Sequence, residues 1–180
     1  MSYLYRRCIM EPDHAAYVKF LIRHHDELNL PYSFPVKLSF FSSPLMFGQA
    51  ILILEEDSYE IVGAAGYVLG TGAGEYEDRH ICQIEAAYLR EPYRGTTMFV
   101  RALRALLESV RSLNPDVRVV QFWTPADLGS VEALWSRWSR LPGAETRREG
   151  SLAFYSVPLA ELERFCERYD RGRITTIYNE

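Results

Sequence analysis

The sequence is 180 residues long, 48% hydrophobic and 24% charged, a balance that suits one globular domain over 1–180 and excludes a disordered or collagen-like chain. Its formal charge of −4 argues against a general nucleic-acid binder, whose affinity comes from neutralised phosphates. No run approaches the roughly 20 apolar residues that cross a bilayer, and Met1 to Arg7 lacks the apolar core of a secretory leader, so a cytoplasmic protein is expected.

Of the 20 basic side chains only Lys19 and Lys37 are lysines. A GC-rich genome produces that bias by itself, although arginine also grips phosphates and carboxylates through two parallel hydrogen bonds. Cys8, Cys82 and Cys166 are far apart and in no metal spacing, which reads as buried reduced thiols. His24 and His25 are adjacent, and neighbours on a helix point about 100° apart, a poor chelate. No metal is expected.

In chain order, residues 2–9 read as a strand. Glu11-Pro12-Asp13 supplies helix-starting chemistry, and Ala16, Tyr17, Phe20, Leu21 and Leu28 recur at helical spacing to about residue 28. From Asn29 to Gly48, Pro31, Pro35 and Pro44 break the pattern. This predicts a loop or short-helix excursion whose Tyr32, Phe34, Phe40, Phe41 and Phe47 are unusual for a connector. Ala50–Glu55, Glu60–Leu69 and His80–Leu89 form an antiparallel meander, with acidic turns at Glu55-Glu56-Asp57 and Glu75-Tyr76-Glu77-Asp78. A helix over about 96–112 carries Phe99, Leu103, Leu106, Leu107 and Val110 on one face. Val117–Trp123 reads as a buried strand, Asp127–Trp138 as a helix, Leu152–Val157 as a last strand or hairpin, and a charged helix starts near 159. The order β-α-loop-β-β-β-α-β-α-β(β)-α predicts an α/β fold of the α+β type. Its sheet is mixed, mostly antiparallel and of six to seven strands, with helices on both faces.

The richest stretch runs from Ile84 to Phe99. There a strand ends in a turn that opens a helix, leaving four backbone N–H groups without intrahelical partners. Together with the positive end of the helix dipole they form an anion site, commonly filled by a diphosphate in metabolic enzymes. Arg94, Thr96 and Thr97 add donors. Every helix has such an N-terminus, so a capped helix that binds nothing explains the same residues.

Ile84-Glu85, Leu89 and Pro92-Tyr93-Arg94-Gly95 resemble the lead-in to the phosphate-loop signature R/Q-x-x-G-x-G/A of the GNAT superfamily of acyl-CoA N-acyltransferases. The order of elements is similar from the first strand to about Val157. Thr97 and Phe99 depart from the pattern, standing where it has a glycine and a second small residue that let the backbone approach a pyrophosphate. The resemblance implies acetyl-CoA as co-substrate, held at Tyr88, Leu89, Arg94, Gly95, Thr96, Thr97, Met98 and Phe99. Asp127-Leu-Gly-Ser130 through Leu134-Trp135 occupies the place of the family's Asn-x-x-Ala-x-x-Leu-Tyr, adding Asp127 and Ser130 to the cofactor side; Asp127 reads equally as an N-cap. The family's acid tyrosine falls at Leu134 or Trp135, neither of which gives up a proton, so an acid must be Tyr155, Tyr88 or solvent.

Acyl transfer from a thioester to an amine needs a neutral amine, a proton acceptor and donors for the developing oxyanion. The resemblance implies Glu85 as the base and the Leu89 N–H as the donor to the thioester oxygen, provided the strand splays from its neighbour; Glu85 as an outward-facing sheet residue or a structural ion pair is the other reading. His80 is a weaker base candidate. Tyr32, Phe34 and Phe41 would wall an acceptor pocket or cover the sheet as core. The acidic turns would favour a cationic acceptor, and are also what hairpins ordinarily carry. The expectation is an N-acetyltransferase acting on a primary amine of a small molecule, amino-acid derivative or peptide, a cationic antibiotic or polyamine among them. It would work as a monomer or homodimer without nucleic-acid or membrane partners. A non-catalytic CoA-binding or protein-interaction module of the same fold is the alternative.

Overall fold

In a computed structural model, residues 2–94, 97–127, 132–169 and 175–177 are described. Strand β2 (Gly48–Glu55) shows how the sheet is built. Ala50, Leu52 and Leu54 pack on one face and Ile51 and Ile53 on the other, the two-sided burial of a central strand. It pairs antiparallel with β1 (Tyr3–Arg7) and with β3 (Ile61–Leu69), and β3 pairs antiparallel with β4 (Ile81–Leu89). Beyond β4 lie β5 (Val119–Pro125), parallel to it, then β7 (Leu152–Pro158) and β6 (Glu145–Glu149), both antiparallel. The order is β6-β7-β5-β4-β3-β2-β1-β8, the three-residue β8 (Thr175–Ile177) running parallel to β1. This is the mixed, mostly antiparallel sheet expected from the sequence, seven strands lengthened at one edge by β8.

Helices cover both faces. On one, α1 (Glu11–Arg23) and α2 (Phe34–Phe47) bury Tyr17, Phe20, Leu21 and Phe41. On the other, α3 (Thr97–Leu113) and α5 (Leu159–Tyr169) pack with Trp138 of α4 (Glu132–Trp138) around Leu106, Val110, Leu162 and Phe165. Arg111 forks onto Glu163 with contacts of 2.9 and 3.1 Å and ties α3 to α5.

The α2 segment corrects the expected loop: it is a 14-residue helix. Pro35 stands in its first turn, where a missing N–H costs no intrahelical bond, and Pro44 lies near its end, buried against the sheet. Lys37 anchors the helix by donating to the His25 carbonyl at 3.1 Å. Helix α1, in turn, ends at Arg23 rather than near residue 28, and the turn that follows swings His24 and Glu27 towards the end of β4.

Candidate active site

Pairing between the parallel strands β4 and β5 runs from Ile81↔Val119 to Ile84↔Phe122 and stops there. Both strands continue, β4 to Leu89 and β5 to Pro125, without pairing to each other, and the gap between these unpaired ends is the candidate slot. The Leu89 assignment presupposes such a parting. Arg90 N donates to Val62 O at 2.9 Å. Bonded pairs alternate along an antiparallel ladder, so the backbone groups of Tyr88 turn to β3 and those of Ala87 and Leu89 face the slot. Arg94 Nε donates to the Leu89 carbonyl at 2.7 Å, fixing that end of β4.

Glu85 occupies a β-bulge. Gly66 pairs with Ala86 and Tyr67 with Ile84, which leaves Glu85 as the extra residue. The bulge switches the strand's faces: Cys82 and Ile84 pack towards α3, whereas Ala86 and Tyr88 pack towards α1 and α2. Gln121 Nε2 donates to Gln83 Oε1 at 2.8 Å, and Gln83 Nε2 donates to Glu85 Oε1 at 2.6 Å. Burial raises the Glu85 pKa above the ordinary carboxylate value, and the Gln83 bond opposes that rise only in part. A carboxyl shifted upward by burial, with Gln83 on one oxygen, is a candidate for proton transfer. Above it the Tyr17 hydroxyl is buried with no hydrogen-bond partner among the described residues. It lies so close to Gly66 that a Cβ there would sit 2.0 Å from the phenol oxygen.

A second cluster closes the end of β4. Tyr88 donates to Glu27 Oε2, and His24 Nδ1 lies 2.8 Å from Glu27 Oε1. The His24 ring stacks on Tyr88 with centroids 4.7 Å apart, and the Arg94 guanidinium lies 5.0 Å from the Tyr88 ring centroid and 3.5 Å from Glu27 Oε2. The His24 and Tyr88 hydrogen bonds hold the Glu27 carboxyl below its usual range. Burial, then the Glu27 carboxylate, pushes the Tyr88 phenol up to about 12. Glu27, His24, Gln83 and Tyr17 were not among the residues expected from the sequence. Only the fold brings them to β4.

The other expected residues fall as follows. Thr97 opens α3 with its side chain exposed, and Met98 is buried. Phe99 packs, partly buried, against the core, its ring 5.9 Å from that of Trp138. Gly95, Thr96 and Ser130 lie outside the described residues. Asp127 is exposed and pairs with Arg148 at 2.8 Å. Tyr88 turns its ring to α1 rather than to α3. Tyr155 stacks on Phe122 at 5.3 Å and neighbours Trp135 at 5.6 Å. Register puts it on the Phe122 face, opposite Gln121 and Glu85, so the two catalytic candidates do not meet across one face. Phe41 is fully buried in the core under α2, which corrects its place in an acceptor wall. Tyr32 rests on Phe40 at 5.4 Å and Phe34 on His25 at 5.0 Å, Phe34 partly open to solvent. The acidic turns separate: Glu60, beyond Glu55-Glu56-Asp57, pairs with Arg90 near the slot, whereas Asp78 folds onto Thr71 at the other end of β3 and β4. Among the described residues no group of His, Cys, Asp or Glu is placed to hold a metal, and no helix is long and apolar enough to cross a membrane.

The order of elements and the mixed sheet are similar to those of solved GNAT-family acetyltransferases. No family model matches the chain, and no curated protein is similar to it in sequence; solved structures carry the comparison. The GNAT-family acetyltransferase of Staphylococcus aureus Mu50 aligns with a TM-score of 0.61 over 86% of this chain and 99% of its own, at 14% identity. AAC(6')-Ib in complex with paromomycin and acetyl-CoA aligns with a TM-score of 0.60 over 91% and 97%, at 18% identity. The ribosomal-protein-S5-alanine acetyltransferase of Vibrio fischeri aligns with a TM-score of 0.55 over 86% and 92%, at 11% identity. At these identities the likeness establishes the fold.

Proposed function

We propose that the chain is an N-acetyltransferase that moves an acetyl group from acetyl-CoA to a primary amine of a small, cationic molecule, an amino-acid derivative or a peptide, in the cytoplasm. The observation that carries this reading is the bulged, partly buried Glu85 beside the slot where β4 and β5 part. Acetyl-CoA would supply the activated acyl group, its thioester lying in the slot and its diphosphate at the start of α3 near Arg94, Gly95, Thr96 and Thr97. Glu85 takes a proton from the ammonium and leaves a neutral amine to attack the thioester carbon. The Leu89 N–H donates to the carbonyl oxygen as charge develops on it. The C–N bond forms, the C–S bond breaks, the attacking nitrogen gives up its second proton to solvent, and the departing thiolate is protonated from solvent. Tyr155, whose ring stacks on Phe122, is given no part in this scheme.

Calorimetric titration with acetyl-CoA, with free CoA and ATP as controls, tests the cofactor; affinity on the order of micromolar is expected. Thiol release with a panel of amines then tests the chemistry. No binding at millimolar ligand refutes the reading. Binding without thiol release for any amine identifies the non-catalytic CoA-binding module, which Thr97 in place of the signature glycine favours.

A further inference from the structure

The geometry points to a second ligand site, at the opposite end of the sheet from the slot, that takes a small aromatic monocarboxylate. Met46 and Phe47 at the end of α2, Leu69 at the end of β3, Tyr76 and Arg79 in the loop before β4, and Leu113 at the end of α3 line a cavity of about 200 Å³. Leu69 pairs with Cys82, whereas Gly63 pairs with Leu89 beside the slot. Six residues of β3, roughly 20 Å, therefore separate the two places, and this inference does not depend on the acyltransferase reading. An apolar cavity of about 150 Å³ holds a benzene ring, so this one has room for a ring and a carboxylate.

The walls set the chemistry. Phe47 and Tyr76 stack with ring centroids 4.0 Å apart and planes 6° from parallel, a flat apolar surface beside the Arg79 guanidinium. That guanidinium has no ion pair or hydrogen bond among the described residues. Asp78, next to it in sequence, is taken up by Thr71, whose N and Oγ1 donate to its two oxygens at 2.7 Å each. A carboxylate meets a guanidinium through two parallel hydrogen bonds, and a ring behind it lies against the apolar wall. Glu75 and Glu77 stand exposed in the same loop, so a single negative charge is favoured over two. The loop is also held in an uncommon shape. Glu75 and Tyr76 both have positive φ, 52° and 62°, a conformation that costs a residue with a Cβ. Tyr76 N donates to Thr71 O at 2.9 Å, and Asn114 Nδ2, just past α3, donates to the Arg79 carbonyl at 2.8 Å. Gly70, at φ 87°, lies so near that a Cβ would sit 2.8 Å from the Tyr76 backbone. Strained backbone of this kind clusters at ligand clamps and switch regions.

The test titrates benzoate, benzyl alcohol and acetate into the whole protein by calorimetry. Benzoate is expected to bind with a Kd on the order of 1 mM or tighter. The other two should bind at least about tenfold more weakly, one lacking the charge and the other the ring. Arg79→Gln should bring benzoate down to the level of benzyl alcohol, and Phe47→Ala down to that of acetate. Both side chains are exposed, so both variants should melt close to the parent. Saturating free CoA is expected to leave the benzoate affinity unchanged. Benzoate binding undiminished in Arg79→Gln overturns the site, as do equal affinities for benzoate and benzyl alcohol, or no benzoate binding at about 10 mM ligand. Competition between CoA and benzoate overturns it too, by placing benzoate in the slot.

Discussion

Replacing Glu85 by glutamine removes the proposed proton acceptor but keeps an oxygen for Gln83 to donate to, so the change is confined to charge. An alkyl ammonium of pKa about 10.4 is only about one part in 2,500 free amine at pH 7. An enzyme that relies on the free form in solution forgoes that factor, and one with a positioned base recovers much of it. The expected loss in kcat/KM for Glu85→Gln at pH 7 is therefore about 10² to 10³. It shrinks steadily as the pH approaches that of the free amine. Thiol release measured across this range, beside CoA affinity by calorimetry, gives the answer, with CoA affinity expected near normal. A loss that is the same at every pH, or a parallel loss of CoA binding, refutes the base assignment. Stability gives an independent reading. Burial raises the Glu85 pKa in the folded state, so between the ordinary and the raised value the native protein binds more protons than the unfolded chain. Stability then falls as pH climbs through that window and stays lower above it. Glu85→Gln should melt higher than the parent at neutral pH and lack that fall.

Arg94→Ala should weaken CoA binding about ten- to a hundredfold, the worth of one charge-assisted contact; unchanged affinity by calorimetry would place the anion elsewhere. Gly66→Ala would put a methyl 2.0 Å from the Tyr17 oxygen and 2.7 Å from Pro44, costing about 1–3 kcal/mol in urea unfolding. Adding Tyr17→Phe should recover part of that cost, and parental stability in Gly66→Ala would show that α1 gives way freely. Tyr67→Phe breaks the 2.8 Å bond to Ser109, buried at both ends, and leaves the serine hydroxyl unpaired at about 1–3 kcal/mol. With Ser109→Ala added, the double variant should lose less than the two singles together.

The meander, the long α3 and the final strand were legible because their apolar residues recur with one clear period. Helix α2 was not: its prolines mimic loop punctuation, and Phe34, Phe40, Phe41 and Phe47 surround it without a stripe. Strand β6 was nearly invisible as Glu145-Thr146-Arg147-Arg148-Glu149, exposed throughout and a strand only through its register with β7. At the site, Glu85 and Arg94 stand in a local motif that one segment displays. Glu27 lies 61 residues from Tyr88, and no local pattern announces such a contact. The bulge is equally silent, since it exists only as a mismatch of register between β3 and β4. Phe41 misled because a phenylalanine at a helix-covered position and one lining a pocket look alike in sequence.

The amide chain from Gln121 through Gln83 to Glu85 has a direction. A carboxamide has one accepting and one donating end, so by taking the oxygen of Gln83 the neighbouring strand decides that nitrogen, not a second oxygen, meets the carboxylate. The two strands exchange this instruction at the last rungs before they separate. A slip of one residue in β5 would send Gln121 to the opposite face. It would also move the point at which the slot opens. The parting of the strands and the orientation of the Glu85 carboxyl therefore depend on one register, and a misregistered sheet would lose both together.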